Sequence, residues 1–171
     1  MSTNEVSSKP YDLIVYGATS FVGQILTHYL VETLGVNRDI SWAIASRSES
    51  KLATLKDSLG TIASELPVLI ADSHDEASLQ ALCSQTRVVI STVGPYALYG
   101  ELLIKTCAET GTDYTDLTGE AHWIGQMKEK YNQAAEASGA RIVNCCGFDS
   151  IPSDMGVFAM QQRAQAKFGH P

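Results

Sequence analysis

Nothing in the 171 residues is long and apolar enough to suggest a membrane span. The longest uninterrupted apolar stretches are a handful of residues, against the roughly 20 that a bilayer-crossing helix needs. There is no basic run, and 12 Lys and Arg stand against 19 Asp and Glu, a net charge of −7. Binding along a nucleic acid needs clustered cations to neutralise phosphates, so this balance argues against a nucleic-acid partner. The opening MSTNEVSSK has no apolar core and is not a secretory signal; residues 1–10 are expected to form a disordered polar tail. Cysteine is scarce. Cys83, Cys107, Cys145 and Cys146 make no C-x-x-C pair, and no His stands at zinc spacing from them, which points to reduced thiols in a cytoplasmic protein and to no metal site. Cys145 and Cys146 are expected to alternate faces of a strand as two packed thiols.

Several catalytic signatures are also missing. No G-x-S-x-G string occurs, so there is no nucleophile elbow. A P-loop needs four residues between its glycines and then Lys; here five separate Gly17 from Gly23, and Gln24 follows. A short-chain reductase needs Tyr four residues before Lys. The residues in that place are Glu5, Arg47, Leu52, Glu101, Ile124, Gln126 and Arg163, and none is Tyr.

What is present is a steady alternation. Hydrophobic residues make up 44% and charged residues 18%, the composition of a globular chain long enough for one domain. Val- and Ile-rich runs at 12–16, 40–45, 67–71, 87–92, 113–117 and 141–146 read as strands. Helical spacing separates them. Phe21, Val22, Ile25, Leu26, Tyr29, Leu30 and Leu34 mark the apolar face of the first helix; Leu52, Leu55 and Leu59 mark the second, which Gly60 stops. Ser73 and Glu76 form an S-x-x-E capping box for the third. A helix from about Leu98 to Thr110 turns Leu102, Leu103, Thr106 and Cys107 inward; the next carries Ile124, Met127, Tyr131, Ala134 and Ala135, and a last one runs through Met155, Phe158 and Ala159. Six strands joined by helical crossovers imply an α/β domain of the Rossmann type: a doubly wound, mostly parallel six-stranded sheet in the order 3-2-1-4-5-6, with helices on both faces, over residues 11–171.

The loops at the carboxyl ends of the strands carry the chemistry. In YGATSFVG, Gly17 turns the chain out of strand one and Gly23 lets the helix approach the strand. The helix start then offers free amides, at residues 17–23, to a pyrophosphate; Thr19, Ser20, Phe21 and Val22 are counted with the glycines as cofactor-binding. Ser20 replaces the usual middle glycine, and its hydroxyl is placed to donate to a phosphate oxygen. At the end of strand two, where an acid would bind both ribose hydroxyls of NAD, stand Ser46 and Arg47. An Arg there pairs with a 2′-phosphate, so NADP(H) is preferred over NAD(H). Asp72, after strand three, either accepts from the adenine amino group or serves as a helix-start acid. Thr92, Val93, Gly94 and Pro95 follow strand four at the topological switch point, beside the ribose and nicotinamide half. Asp116 and Glu120 either supply acid–base chemistry or satisfy the backbone at the next helix start.

The stretches YGATSFVG, ASRS…KL, VVISTVGPYALYGELLIKTCAETGTDYTDLTGE and GFDSIPSD resemble the NADP-binding domain of saccharopine dehydrogenase-like oxidoreductases, over most of residues 11–160. That group includes trans-acting enoyl reductases of lipid biosynthesis and lipid-droplet-associated relatives. The resemblance implies an NADP-dependent oxidoreductase, with the chain an N-terminal piece of a longer two-domain protein. Its small-molecule substrate would be a lipid-type enoyl or carbonyl compound held by a C-terminal domain. A non-catalytic NADP-binding sensor or lipid-associated protein is the alternative, and a saccharopine dehydrogenase of lysine metabolism a lesser one. A homo-oligomer is compatible with either.

Overall fold

The computed structural model describes residues 9–36 and 38–170. Strands β1 (Tyr11–Tyr16), β2 (Trp42–Ser46), β3 (Val68–Ile70), β4 (Thr86–Ser91), β5 (Asp113–Asp116) and β6 (Ile142–Val143) form one sheet in the order β3-β2-β1-β4-β5-β6. Every neighbouring pair is parallel, an arrangement that needs a crossover connection between strands. The strands are joined by α1 (Phe21–Thr33), α2 (Glu49–Leu59), α3 (Glu76–Cys83), α4 (Tyr96–Tyr99), α5 (Glu101–Thr110) and α6 (Ala121–Ser138), and α7 (Ile151–Phe168) follows the last strand. This is the doubly wound architecture expected from the alternation.

Two apolar clusters fill the two faces. On one, Ile14, Ala43, Val89 and Tyr114 meet Leu79, Leu103, Cys107 and Met127 from α3, α5 and α6. On the other, Val15 and Ile44 meet Leu30 and Val31 of α1 and Leu52 and Leu55 of α2. Each fully buried aliphatic side chain of this kind contributes about 2 kcal/mol.

The expected phase of α1 is corrected by the structure. Gly23 must face β1, because a Cβ there would lie 2.2 Å from the carbonyl oxygen of Gly17 and 2.8 Å from Ala18 Cα. With that residue inward, the 3.6-residue period brings Thr27, Leu30 and Val31 inward too. Phe21, Val22, Ile25 and Tyr29 are consequently exposed, Phe21 by 80%. Backbone proximity at one glycine thus outweighs the larger apolar stripe.

The sheet is left open on the same side. A row across it runs Val15, Ile90, Thr115, Val143. Val15 is fully covered, Ile90 and Thr115 are half-buried, and Val143 is 51% exposed. None of the 18 residues of α7 is buried, although Ile151, Met155, Val157, Phe158 and Met160 are large and apolar.

Other expectations shift. The helix over 98–110 is divided at Gly100 into α4 and α5, with the side chain of Trp123 filling the space where a Cβ of residue 100 would go. The sixth strand ends at Val143 instead of continuing to 146: Cys145 takes φ +62 and donates its amide to Asp116 Oδ1. Cys145 and Cys146 therefore do not alternate as strand residues, and Cys146 is exposed. The proposed tail falls mostly on residues 1–8, outside the described residues; Lys9 is tied down by bonds to the Cys83 carbonyl (3.1 Å) and Thr112 Oγ1 (2.9 Å). Among the described residues no helix is long and apolar enough to cross a membrane.

Candidate functional site

The carboxyl ends of β1, β2, β3 and β4 enclose a cleft of about 410 Å³. Its first wall is the β1–α1 loop. Gly17 sits at φ +86, and a Cβ on it would come within 2.6 Å of Val93 Cγ2 and 2.8 Å of Thr92 Oγ1, so only glycine brings this turn so close to the β4 loop. Ser20 is the N-cap of α1, its Oγ accepting from the Gly23 amide at 3.0 Å. The same oxygen donates its proton to Thr92 Oγ1 at 3.1 Å, and Thr92 Oγ1 in turn donates to the Gly17 carbonyl at 2.9 Å. The first-turn amides of Phe21 and Val22 have no partner among the described residues, which leaves them, with the helix dipole, for an anion.

The second wall is the end of β2. Ser46 is buried, and its Oγ accepts from the Ser48 amide at 3.2 Å. Ser48 caps α2 by accepting from the Lys51 amide. These bonds fix the backbone on both sides of Arg47, whose exposed side chain lines the cleft with that of Lys51. Tyr16 and Ser73 also line it; burial holds the Tyr16 phenol well above its ordinary value.

Asp72 lies outside this lining, within electrostatic reach of Tyr16 and Arg47. Its Oδ1 accepts from the His74 amide at 2.9 Å and lies 3.2 Å from His74 Nδ1, and the amide bond is the main cause of its lowered pKa. The S-x-x-E capping box does not form. Asp75 caps α3 by accepting from the Ala77 amide, Ser73 is buried at the cleft, and Glu76 pairs with Lys105 at 2.8 Å. A turn in which the Asp75 amide donates to the Asp72 carbonyl at 3.0 Å precedes the helix, and the cap falls two residues later, on aspartate instead of serine.

The third wall is Thr92, Val93, Gly94 and Pro95, with a cis bond between the last two. Beyond it, Glu120 accepts from the amides of Tyr96 (2.7 Å) and Ala97 (2.9 Å), holding the start of α4. Asp116 is 3% exposed. Its carboxylate accepts from Tyr114 Oη, Asn144 Nδ2 and the amides of Thr118 and Cys145. Both acids are spent on backbone and side-chain organisation. The Tyr96 phenol, pushed up to about 12 by burial, donates to the Ser91 carbonyl.

The structure thus gathers Gly17, Thr19, Ser20, Ser46, Arg47, Thr92, Val93, Gly94 and Pro95 around one cleft, while the side chains of Phe21 and Val22, Gly23 and Asp72 lie outside its lining. Tyr16, Ser48, Lys51, Ser73 and Tyr99 line it without having been singled out from sequence. The spacing of Lys51, four residues after Arg47, was the available signal for one of them.

Residues 13–143 match the family described as the saccharopine dehydrogenase NADP binding domain. A lipid droplet localized protein of Caenorhabditis elegans is 40% identical over 164 residues, 94% of this chain and 38% of that protein. A trans-acting enoyl reductase of Mycobacterium ulcerans is 39% identical over 158 residues, 92% of this chain and 37% of the enzyme. The chain therefore spans less than two fifths of the length of these relatives. Saccharopine dehydrogenase (L-Glu forming) of Saccharomyces cerevisiae superposes with a TM-score of 0.64 at 20% identity, over 90% of this chain and 32% of the enzyme. The NADP(H) complex of triphenylmethane reductase from a Citrobacter species superposes with a TM-score of 0.52 at 16% identity, over 78% of this chain and 48% of that one. These two likenesses are of fold.

Proposed function

The chain belongs to the family of saccharopine dehydrogenase NADP-binding domains, and on that premise we propose that it holds NADP(H) in the cleft as the nucleotide-binding part of a longer oxidoreductase. The carrying observation is the end of β2: Arg47 faces the cleft without an ion-pair partner, and no carboxylate lines the cleft among the described residues. A dinucleotide with free ribose hydroxyls is normally met there by an acid, and a 2′-phosphate by a cation. The rest of the cleft fits the same ligand. The open amides of Phe21 and Val22 take the pyrophosphate. Ser46 and Arg47 take the phosphorylated ribose, and residues 92–95 lie along the nicotinamide half.

The bound cofactor supplies the hydride. This chain's residues hold and orient it. Asp116 and Glu120, at the β5–α6 loop, are bonded into the backbone, which supports a reading in which the groups that act on substrate come from another part of the protein. The open row ending at Val143, the outward stripe of α1 and the uncovered α7 offer the surface such a second part would bury. The enoyl reductase name of the Mycobacterium ulcerans relative favours an enoyl or carbonyl group on a lipid-type substrate. The lipid droplet name of the worm relative favours the second reading, a lipid-associated protein that binds NADP(H) without turnover.

Hydride transfer by the full-length protein tests the choice. Oxidation of NADPH in the presence of long-chain enoyl or carbonyl substrates is expected. Tight NADPH binding with no turnover across a broad panel would remove the enzyme reading and leave the sensor.

A further inference from the structure

We infer that Lys51 is a second specificity-determining cation of the cleft, acting with Arg47 on a phosphate monoester, the 2′-phosphate of NADP(H). The inference rests on the NADP(H) reading above and extends it to a residue outside the β2 turn.

Lys51 is the third residue of α2, and its side chain lines the cleft with Arg47. Of the ten other lysines and arginines in this acidic chain, six are bonded within the protein, and Arg38, Lys128, Arg163 and Lys167 lie outside the cleft lining. Arg87, Lys105, Lys130 and Arg141 pair with carboxylates, and Lys9 and Lys56 donate to carbonyl oxygens. Among the described residues Arg47 and Lys51 have no ion-pair or hydrogen-bond partner for their side-chain nitrogens. Both sit at the amino end of α2, the end whose dipole disfavours a cation. Glu49 in the same turn lies outside the cleft lining. Two cations without ion pairs at the positive end of a helix raise the local potential from three sources. The Asp72 carboxylate acts on Arg47 from beyond ion-pair distance and offsets this in part; an anionic ligand in the cleft meets both cations.

The number of charges matches the ligand. A phosphate monoester carries about −1.5 to −2 near neutrality, with its second pKa about 6, so one cation leaves roughly half of its charge unmet. Arg47 offers a planar fork for two oxygens, and Lys51 a point charge for the third. The pyrophosphate is met separately by the α1 amides, which places no demand on Lys51. In a chain of net charge −7, which repels a dianion at long range, the pair also supplies the local attraction that brings it in.

The test is equilibrium binding of NADP⁺ and NAD⁺ to the 171-residue chain and its variants, with no turnover involved. Substitution at Lys51 spares the cap of α2, because the bond to Ser48 Oγ comes from the backbone amide. Lys51→Gln is expected to weaken NADP⁺ about fivefold and to leave NAD⁺ within about twofold. Lys51→Arg should retain most of the NADP⁺ affinity. The double variant with Arg47→Ala should lose the preference altogether, and its NADP⁺ affinity should fall less steeply with salt than the parent's. An unchanged NADP⁺/NAD⁺ ratio in Lys51→Gln, alongside a lowered one in Arg47→Ala, would overturn the role of Lys51 and leave the NADP(H) reading standing. A parent chain without any preference for NADP⁺ would overturn both.

Discussion

Ser20 Oγ and Thr92 Oγ1 lie 3.1 Å apart, joined by a hydrogen bond that Ser20 donates. The two residues stand at the carboxyl ends of β1 and β4, the central pair of the sheet. Because Ser20 also accepts from the Gly23 amide, and Thr92 donates to the Gly17 carbonyl, the serine closes a short circuit of bonds that holds the glycine loop against the β4 loop. The residue in the place of the usual middle glycine is thus a brace, and its proton is already given to Thr92.

Ser20→Ala should therefore act on stability first. Loss of an N-cap and of the bond to Thr92 is expected to cost about 1–2 kcal/mol, read from chemical denaturation. NADPH affinity of the folded variant should fall less than about threefold. A loss of tenfold or more at unchanged stability would instead assign the hydroxyl to a phosphate oxygen.

Gly23, beside this brace, and Gly94, beyond it, separate folding from binding. Gly23→Ala puts a methyl group 2.2 Å from the Gly17 carbonyl oxygen, a contact between backbones that cannot relax cheaply; a loss of about 3 kcal/mol or more is expected. At Gly94 a Cβ would meet nothing nearer than the Tyr96 ring at 3.5 Å. Gly94→Ala should melt within about 2 °C of the parent and, on the proposed placement of the nicotinamide half along the β4 loop, bind NADPH several-fold more weakly, because its methyl group enters the cleft. Equal binding by this variant would place the nicotinamide half away from the β4 loop.

Acid stability follows from two ion pairs that bridge elements. Arg141 holds the Asp113 carboxyl below its ordinary 3.8, and hydrogen bonds from Lys130 and Tyr131 hold Glu101 below 4.5. Both groups bind protons more readily in the unfolded chain than in the folded one. Their contribution is complete above those ordinary values and drains away as pH falls through the lowered ones. The melting temperature should accordingly drop between about pH 5 and pH 2, and less steeply in the Asp113→Asn, Glu101→Gln double variant. A parallel drop in both proteins would move the acid sensitivity to other carboxylates.

The sheet order was legible in the sequence because parallel strands need crossovers and the first loop identifies the central strand. The phase of α1 was not. Phe21, Ile25 and Tyr29 outnumber Gly23 in any apolar count, and only the 2.2 Å approach at Gly23 decides which side faces β1. The start of α3 was hidden for a related reason: Ser73 and Asp75 can each cap a helix, and the choice is made by the turn that the Asp75 amide closes on the Asp72 carbonyl. At the site, the residues contiguous with the glycine loop and the β2 turn were legible from position alone. Lys51 and Ser73 were not: Lys51 enters the cleft from the first turn of α2 and Ser73 from the turn between β3 and α3, and neither placement is marked by contiguity with a loop motif. Asp116 and Glu120 were left open between chemistry and support, and the bonds they make show the support.

Selection of a 2′-phosphate by Arg47 in the β2 turn is read out by titrating the chain with NADPH and NADH. NADPH is expected to bind at least about tenfold more tightly, the worth of one added charged contact, and Arg47→Ala should collapse that ratio while NADH affinity stays within about twofold. Equal affinities for the two nucleotides in the unsubstituted chain would contradict it.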